Sequence, residues 1–225
     1  MKVKLINAIE DTRFFRGFST EECDHILTAG RAETRSFTKD EVLFYEKTIL
    51  NSIIIILDGR IQGVHLLADG SINLVELFLP GNVIGLDIVC SSSRRSPYSL
   101  CGMDSGSIVL IDYDSIFSER LNREVMKKLQ ENLIHELARD SLKRLHKIEV
   151  LYRKSLRERI CIFLRNRSSI SGERVVEIDM DREQFAQYLG VNRSSLSHEL
   201  AMMRQDGLIE FHKGHFTILS DEVLG

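Results

Sequence analysis

Four polar side chains near the C-terminus have the types and the spacing to contact a nucleic acid. They are Arg193, Ser194, Ser197 and His198. Leu196, Leu200 and Met203 recur among them at the spacing of one helical face, so the four polar side chains point outward if that face turns inward. An arginine can bridge the two acceptors of a guanine, and short hydroxyl groups allow close approach to phosphates. The segment therefore predicts a face that reads DNA.

The residues before this segment predict a helix and a tight turn. Asp181 and Gln184 have the spacing of a capping box at the start of a first helix, and Gly190 ends it. Asn192 is a favourable cap for the second helix. Two short helices that are joined by a glycine turn, with the second helix apolar on one side, are typical of a helix-turn-helix. In that motif the second helix enters the major groove of DNA.

A β-hairpin is predicted after the second helix, with Lys213 and Gly214 at its turn. This hairpin would form the wing of a winged helix-turn-helix. Lys213 near its tip could contact the DNA backbone, although exposed hairpin tips are commonly polar without such a role. His198 also fits a solvated surface position equally well. The residues expected to contact DNA are Arg182, Asn192, Arg193, Ser194, Ser195, Ser197, His198 and Lys213.

The middle of the chain predicts a long helix. Residues 118–171 contain neither glycine nor proline, and apolar side chains recur at helical spacing from Val125 to Ile148. Such a helix carries more apolar surface than one small domain covers, so we expect it to pair two copies of the chain; the alternative is a helix buried within its own subunit. Ser155 with Glu158 three residues later predicts a break at 152–154 and a new helix through Leu164.

The first half of the chain predicts a small antiparallel β-roll. Short β-type runs alternate there with the turn-forming pairs Asp58-Gly59, Asp69-Gly70 and Pro80-Gly81. The runs are 41–46, 52–57, 60–67, 71–79 and 107–113. Strands this short and this evenly spaced are typical of a roll or barrel. A capped helix that begins at Thr20 is expected before them.

These elements together predict an α+β fold with three parts. An N-terminal antiparallel β-roll of the jelly-roll type would occupy residues 1–118, a dimerisation helix residues 119–152 and the winged helix-turn-helix residues 153–225.

The composition gives no indication of a membrane, export or metal function. The longest apolar run, residues 53–57, is far too short to span a bilayer, and the N-terminus turns acidic before a signal peptide develops, so we expect a cytoplasmic protein. The four cysteines form no C-x-x-C pair, which argues against zinc and iron–sulfur sites, and no cofactor is expected. A redox role for Cys90 or Cys101 stays open. The net charge of −3 neither supports nor excludes DNA binding.

The order of roll, long helix and winged helix-turn-helix resembles the CRP/FNR-like family of transcription regulators, the relatives of the catabolite activator and the fumarate-nitrate reduction regulator. The resemblance covers nearly the whole chain. The segments that carry it are Asp58-Gly59 and residues 79–85, 192–200 and 207–209. It implies a homodimer whose cyclic-nucleotide-binding-like rolls control two heads that read roughly palindromic double-stranded DNA, with RNA polymerase as a further partner.

The same resemblance implies an effector site in the roll. Family members that bind cyclic nucleotides hold the phosphate with a Gly-Glu pair and an Arg-Ser pair. Arg95-Ser96 matches the second pair, but Leu86 follows Gly85 where the acid would stand, and Asp87 comes one residue late. A small anionic effector other than cyclic AMP is therefore expected, and a solvated loop at 91–99 is the alternative. The residues expected to bind the effector are Gly85, Asp87, Arg94, Arg95 and Ser96.

Two other functions fit parts of the chain. A metal-dependent enzyme built on the same roll would need several converging ligands, yet His65 is the only histidine in the strand region. A cyclic-nucleotide-binding regulatory module that acts on a protein partner would need neither the outward polar set at 193–198 nor the wing. We therefore expect a DNA-binding regulator without catalytic residues.

Overall fold

The structure is a computed structural model that describes residues 2–10, 12–68, 70–117 and 121–224, with side chains described from residue 5 onward. The chain forms two compact units, Met1–Arg139 and Asp140–Gly225. Asp69 of the predicted Asp69-Gly70 turn and the predicted domain limit at 118–119 lie outside the described residues. The boundary between the two units falls inside a helix, and the predicted limit at 152–153 stays a prediction.

The first unit is built around eight strands in two four-stranded antiparallel sheets. The strands are β1 (Glu33–Phe37), β2 (Val42–Phe44), β3 (Ser52–Asp58), β4 (Ile61–Leu66), β5 (Ile72–Phe78), β6 (Val83–Ile84), β7 (Ser99–Gly102) and β8 (Gly106–Asp112). The sheets are ordered β1-β8-β3-β6 and β2-β7-β4-β5. The helices of this unit are α1 (Lys2–Glu10), α2 (Thr20–Ala29), α3 (Leu86–Val89), α4 (Tyr113–Ile116) and the first part of α5 (Arg123–Tyr152). The predicted antiparallel roll is confirmed.

A run of four isoleucines in β3 joins the two cores of this unit. Ile54 and Ile56 pack between the two sheets, whereas Ile53 and Ile55 pack in the cluster that contains α2 and the start of α5. Alternate residues of a strand point to opposite faces, so a strand that is buried on both faces reads as a continuous apolar run.

The sequence does not predict β1, β6 or β7 as separate strands. β1 reads ETRSF, and only Phe37 of it is buried, so no apolar alternation marks it. β6 has two residues. Such strands form because a neighbouring strand supplies hydrogen bonds, as β8 does for β1, and a local pattern does not reveal that neighbour.

The second unit combines helices with a three-stranded sheet. After the end of α5 come α6 (Leu156–Ser171), β9 (Val175–Glu177), α7 (Arg182–Tyr188), α8 (Arg193–Gln205), β10 (Ile209–His212) and β11 (His215–Ile218). The sheet is ordered β10-β11-β9, and one apolar cluster joins it to the helices. The winged helix-turn-helix and the α+β class are confirmed.

Helix α6 begins where the sequence predicts and ends later. Ser155 and Glu158 form a reciprocal capping box at its start. The helix continues past the predicted end at Leu164 to Ser171, because Gly172 is the first residue to adopt the left-handed conformation, with φ 73°. The Gly172 N–H donates a hydrogen bond to the carbonyl oxygen of Ser168 at 2.7 Å.

Helix α5 is a single helix of 30 residues, as predicted. Val125, Leu129 and Leu133 are buried in the core of the first unit. No helix in the described parts of the chain is long and apolar enough to cross a membrane.

Candidate nucleic-acid interface

Helix α8 begins with a side-chain cap. The Oδ1 atom of Asn192 accepts a hydrogen bond from the backbone N–H of Ser195 at 2.8 Å and another from the Ser194 hydroxyl at 2.8 Å. The first bond satisfies one of the N–H groups that a helix leaves open at its start. Asn192 therefore stabilises the helix in the free protein, and the Ser194 hydroxyl donates to Asn192.

The rest of α8 divides into an apolar face and a polar face. Leu196, Leu200 and Met203 are completely buried, each with 0% exposure. The predicted DNA contacts of this helix are exposed: Arg193, Ser194, Ser195, Ser197 and His198. Ala201, one turn beyond Ser197, extends the exposed face and was not predicted to belong to it.

Arg182 lies in the first turn of α7, behind the capping box that Asp181 and Gln184 form. Its guanidinium lies 5.1 Å from the ring centroid of Phe211 and 5.7 Å from that of Phe216. Burial lowers the pKa of Arg182, and the positive charges of Arg193 and Arg204 lower it further. Arg182 and Arg193 thus place two positive charges between α7 and α8, which favours the approach of an anion.

The wing is a two-residue hairpin. β10 and β11 pair from Ile209 and Ile218 to His212 and His215, which leaves Lys213 and Gly214 as the turn. Lys213 is exposed and adopts φ 52°, in the left-handed region. A cavity of about 230 Å³ lies beside the turn, and both Lys213 and Arg182 line it. The structure thus brings together these two cations, which are 31 positions apart in sequence.

Two arginines form three ion pairs that hold α8 in place and that the sequence did not predict. Arg157 of α6 donates from Nε to Glu199 and from Nη1 to Asp206, both at 2.6 Å. Arg204, near the end of α8, pairs with Glu210 of β10 at 2.8 Å. The partners of Arg157 are 42 and 49 positions away, so no local sequence pattern indicates these bonds.

The predicted effector residues of the loop at 91–99 have partners within the protein. Arg94 forms a two-point ion pair with Asp114, at 2.6 and 2.7 Å, and this pair lowers the pKa of the Asp114 carboxyl. Arg95 is exposed, and its Nη1 donates to the carbonyl oxygen of Lys47 at 3.0 Å. Ser96 is buried, and its hydroxyl donates to the carbonyl oxygen of Tyr98 at 2.6 Å.

The other predicted effector residues, Gly85 and Asp87, lie at the start of α3. Gly85 adopts φ 89° and precedes the helix, Leu86 is buried, and Asp87 is half-buried.

The interior of the roll is filled by side chains beside the loop at 91–99. Tyr98 is 5% exposed, and its ring centroid lies 6.3 Å from that of Phe78. A Cβ atom on Gly63 would come within 3.0 Å of the Tyr98 ring, so Gly63 allows the ring to lie there.

All four cysteines are free thiols. Cys90 is exposed and donates to the Tyr113 hydroxyl at 3.4 Å. Burial, with a contribution from Cys90, raises the pKa of Tyr113 to about 12. Cys101 is buried, which raises its pKa and keeps it a thiol at neutral pH. Among the described residues, no three His, Cys, Asp or Glu side chains are grouped to hold a metal ion.

Two domain families match this chain. A Crp-like helix-turn-helix domain matches residues 158–224, and a cyclic nucleotide-binding domain matches residues 34–120. The two matches follow each other in the order of the predicted roll and winged head.

Relatives with assigned roles match both parts at low identity. Electron transport regulator A of Shewanella oneidensis is 24% identical over 188 residues, which cover 81% of this chain and 73% of the relative. The nitrogen fixation regulation protein FixK of Bradyrhizobium diazoefficiens is 25% identical over 193 residues, which cover 81% of this chain and 76% of the relative.

Solved structures share the fold. FixK2 from Bradyrhizobium japonicum superposes with a TM-score of 0.61 at 21% identity, covering 86% of this chain and 95% of that one. The c-di-GMP responsive regulator CLP of Xanthomonas campestris superposes with a TM-score of 0.67 at 14% identity, covering 90% of this chain and 100% of that one.

Proposed function

We infer that the chain belongs to the CRP/FNR-like family of transcription regulators, and we propose that it reads DNA as a homodimer through the outward face of α8. The observation that carries this proposal is the division of α8 into two faces. Leu196, Leu200 and Met203 are completely buried. Arg193, Ser197 and His198 are exposed on the N-terminal half that enters the major groove in a helix-turn-helix.

The DNA backbone is proposed to lie along Arg182 and Lys213. Both line one cavity between α7 and the wing, and Arg182 carries additional positive potential from its arginine neighbours. Backbone contacts of this kind orient a protein on the duplex, and contacts to base edges give specificity. We assign base reading to Arg193 and Ser197, with His198 beside them, and we assign Asn192, Ser194 and Ser195 to the first turn that approaches the backbone.

Dimerisation is proposed to use an exposed and mostly apolar seam on α5. Successive positions of the seam are alternately four and three residues apart, which is the spacing of a two-stranded coiled coil. They are Ile134, Ala138, Ser141, Leu145, Ile148 and Tyr152. Ile134, Leu145 and Ile148 are 63%, 58% and 61% exposed in the single chain. Several exposed large apolar side chains on one helix face are unusual for a monomeric protein. A second copy would cover them, and the twofold axis would place two heads on half-sites about one helical turn apart.

The sensor roll is proposed to respond to a small anion other than cyclic AMP, at Gly85, Asp87, Arg94, Arg95 and Ser96. One support is the exposed guanidinium of Arg95, which donates to a single carbonyl oxygen. The other is the guanidinium of Arg94, which pairs with the exposed carboxylate of Asp114, so an anion could compete with that carboxylate for it. Leu86 provides no acceptor for a ribose hydroxyl, and Tyr98 fills the roll beside the loop.

The remaining partners follow from the proposed role. A regulator of this family acts on transcription, so we propose RNA polymerase as its protein partner and the cytoplasm as its location. The assigned relatives are regulators, and we propose no catalytic activity.

Selection of bound fragments from a random DNA pool tests the proposal. The full chain is incubated with the pool, with and without a small-molecule cell extract, and the retained DNA is sequenced. We expect one nearly palindromic sequence to be enriched, and a change with extract would reveal the effector. Retention of DNA without any enriched sequence would contradict specific reading.

A further inference from the structure

Arg157 contacts α8 at two separated points. Its Nε donates to Glu199 and its Nη1 to Asp206, both at 2.6 Å. Glu199 and Asp206 are seven positions apart in sequence, so their backbones are separated by about 10 Å along a helix axis. One side chain of α6 therefore binds the middle and the end of the helix that carries the proposed base contacts.

These bonds restrict the tilt of α8, which the apolar core does not restrict. The buried residues Leu196, Leu200 and Met203 fix which face of α8 turns inward, but apolar contacts have no preferred direction. Charged hydrogen bonds from a planar guanidinium are directional, and two of them on a rigid helix restrict its tilt. A small change of tilt moves Arg193 at the far end of α8 by more than it moves Glu199.

We propose that Arg157 is a positioning residue for DNA recognition, because by binding Glu199 and Asp206 together it sets the tilt of α8 against α6. This inference rests on the proposed function of α8. Arg157 itself contributes no base contact. It affects the selectivity of DNA binding, because the tilt of α8 determines where Arg193 and Ser197 lie in the groove.

The local charges suggest a competing explanation that the test must separate. Without Arg157, Glu199 and Asp206 would be two unpaired carboxylates on the reading helix, and they would repel any DNA, whatever its sequence. Replacement by lysine keeps the positive charge but loses the planar fork that serves both carboxylates at once. A positioning role requires the fork, whereas a charge role requires the charge alone.

The ion pairs are partly exposed, with side-chain exposures of 38% for Arg157, 23% for Glu199 and 40% for Asp206. Pairs this exposed contribute little to folding stability, so the variants should fold. A matched control is Arg153→Met, because Arg153 lies four positions away, is exposed, and pairs through its side chain with Glu149 of α5 and not with α8.

The experiment compares affinities for the sequence that the wild type enriches and for a scrambled duplex of equal length, at several salt concentrations. We expect Arg157→Met and Arg157→Lys each to lower the ratio of the two affinities roughly tenfold, the effect of one misplaced base contact. Scrambled-duplex affinity should stay near that of the wild type for Arg157→Lys, and Arg153→Met should keep the ratio. A double variant, Glu199→Gln with Asp206→Asn, should lower the ratio as Arg157→Met does, and it checks the result if Arg157→Met folds poorly.

Three results would overturn the inference. An unchanged ratio in Arg157→Met means that α8 is held without Arg157. A full return of the ratio in Arg157→Lys means that charge alone matters. An equal loss on both duplexes with a shallower salt dependence means that Arg157 contacts phosphate. If the wild type itself prefers no sequence, the proposed function fails, and this role fails with it.

Discussion

Arg159 donates from Nη1 to the carbonyl oxygen of Leu189 at 2.8 Å and from Nε to that of Arg153 at 3.0 Å. One side chain thus joins the end of α5 to the turn between α7 and α8. Both acceptors are backbone groups at helix ends, where carbonyl oxygens lack partners within the helix.

Replacing Arg159 by methionine should destabilise the winged unit. The change leaves the Leu189 carbonyl oxygen without its donor, and we expect a loss of about 1–2 kcal/mol in the free energy of unfolding. Denaturant titration followed by circular dichroism measures it. Arg167→Met is the control, because Arg167 is exposed and lies over the Phe163 ring at 5.7 Å; an equal loss there would contradict the assigned role of Arg159.

Replacing Asn192 by alanine should weaken α8 at its first turn. The cap from Asn192 to the Ser195 N–H is lost, and we expect about 1 kcal/mol less stability together with weaker binding to the selected DNA. Asn192→Ser keeps a capping oxygen and should preserve most of the stability. If both variants unfold at the same denaturant concentration as the wild type, the cap does not hold the helix.

Replacing Leu145 by glutamate should separate the proposed dimer. The change places a charge in the exposed apolar seam of α5, where pairing would bury it. Sedimentation equilibrium should show a monomer. Lys143→Glu introduces the same side chain two positions away, outside the seam, and should leave the dimer intact. A dimeric Leu145→Glu protein would place the subunit contact elsewhere.

The ion pair of Glu22 with Lys128 should make stability depend on pH in the acid range. Lys128 donates to Glu22 at 2.9 Å and lowers the pKa of that carboxyl, which adds to the effect of the Ser19 N–H. A carboxyl whose pKa is lower in the folded than in the unfolded state stabilises the fold above its unfolded pKa, about 4.3 for glutamate, and loses that effect as the pH falls through the folded pKa.

Glu22→Gln is therefore expected to cost about 1 kcal/mol or less at pH 7 and nothing at the acid end. Unfolding free energies of the two proteins, measured from neutral pH downward, should converge as the carboxyl is protonated. A difference that is constant over the whole range would mean that Glu22 acts through packing and not through its charge.

Local patterns in the sequence were enough for the elements that depend on near neighbours. The capping boxes at Ser155 and Asp181 and the cap at Asn192 involve residues three positions apart, so their side-chain types identify them. The same is true of the buried and exposed faces of α8, because helical periodicity sorts them.

Contacts between distant residues could not be predicted in this way. The sequence did not indicate that Asp114, twenty positions later, pairs with Arg94 or that the Lys47 carbonyl oxygen accepts a hydrogen bond from Arg95. The two bonds of Arg157 to α8 were missed for the same reason. The polar strand β1 forms because β8 lies beside it and supplies its hydrogen-bond partners, and the polar residues of β1 do not indicate a strand.

Titration of the enriched DNA sequence with wild type and Arg193→Ala, in a gel-shift assay at fixed salt, tests whether the outward face of α8 reads DNA bases. Arg193 is exposed in the first turn of α8, and the bidentate base contact proposed for it discriminates by about 1–3 kcal/mol. We predict that Arg193→Ala binds this sequence roughly tenfold to hundredfold more weakly, with unfolding and dimerisation unchanged. An Arg193→Ala protein that binds the enriched sequence as tightly as the wild type would contradict it.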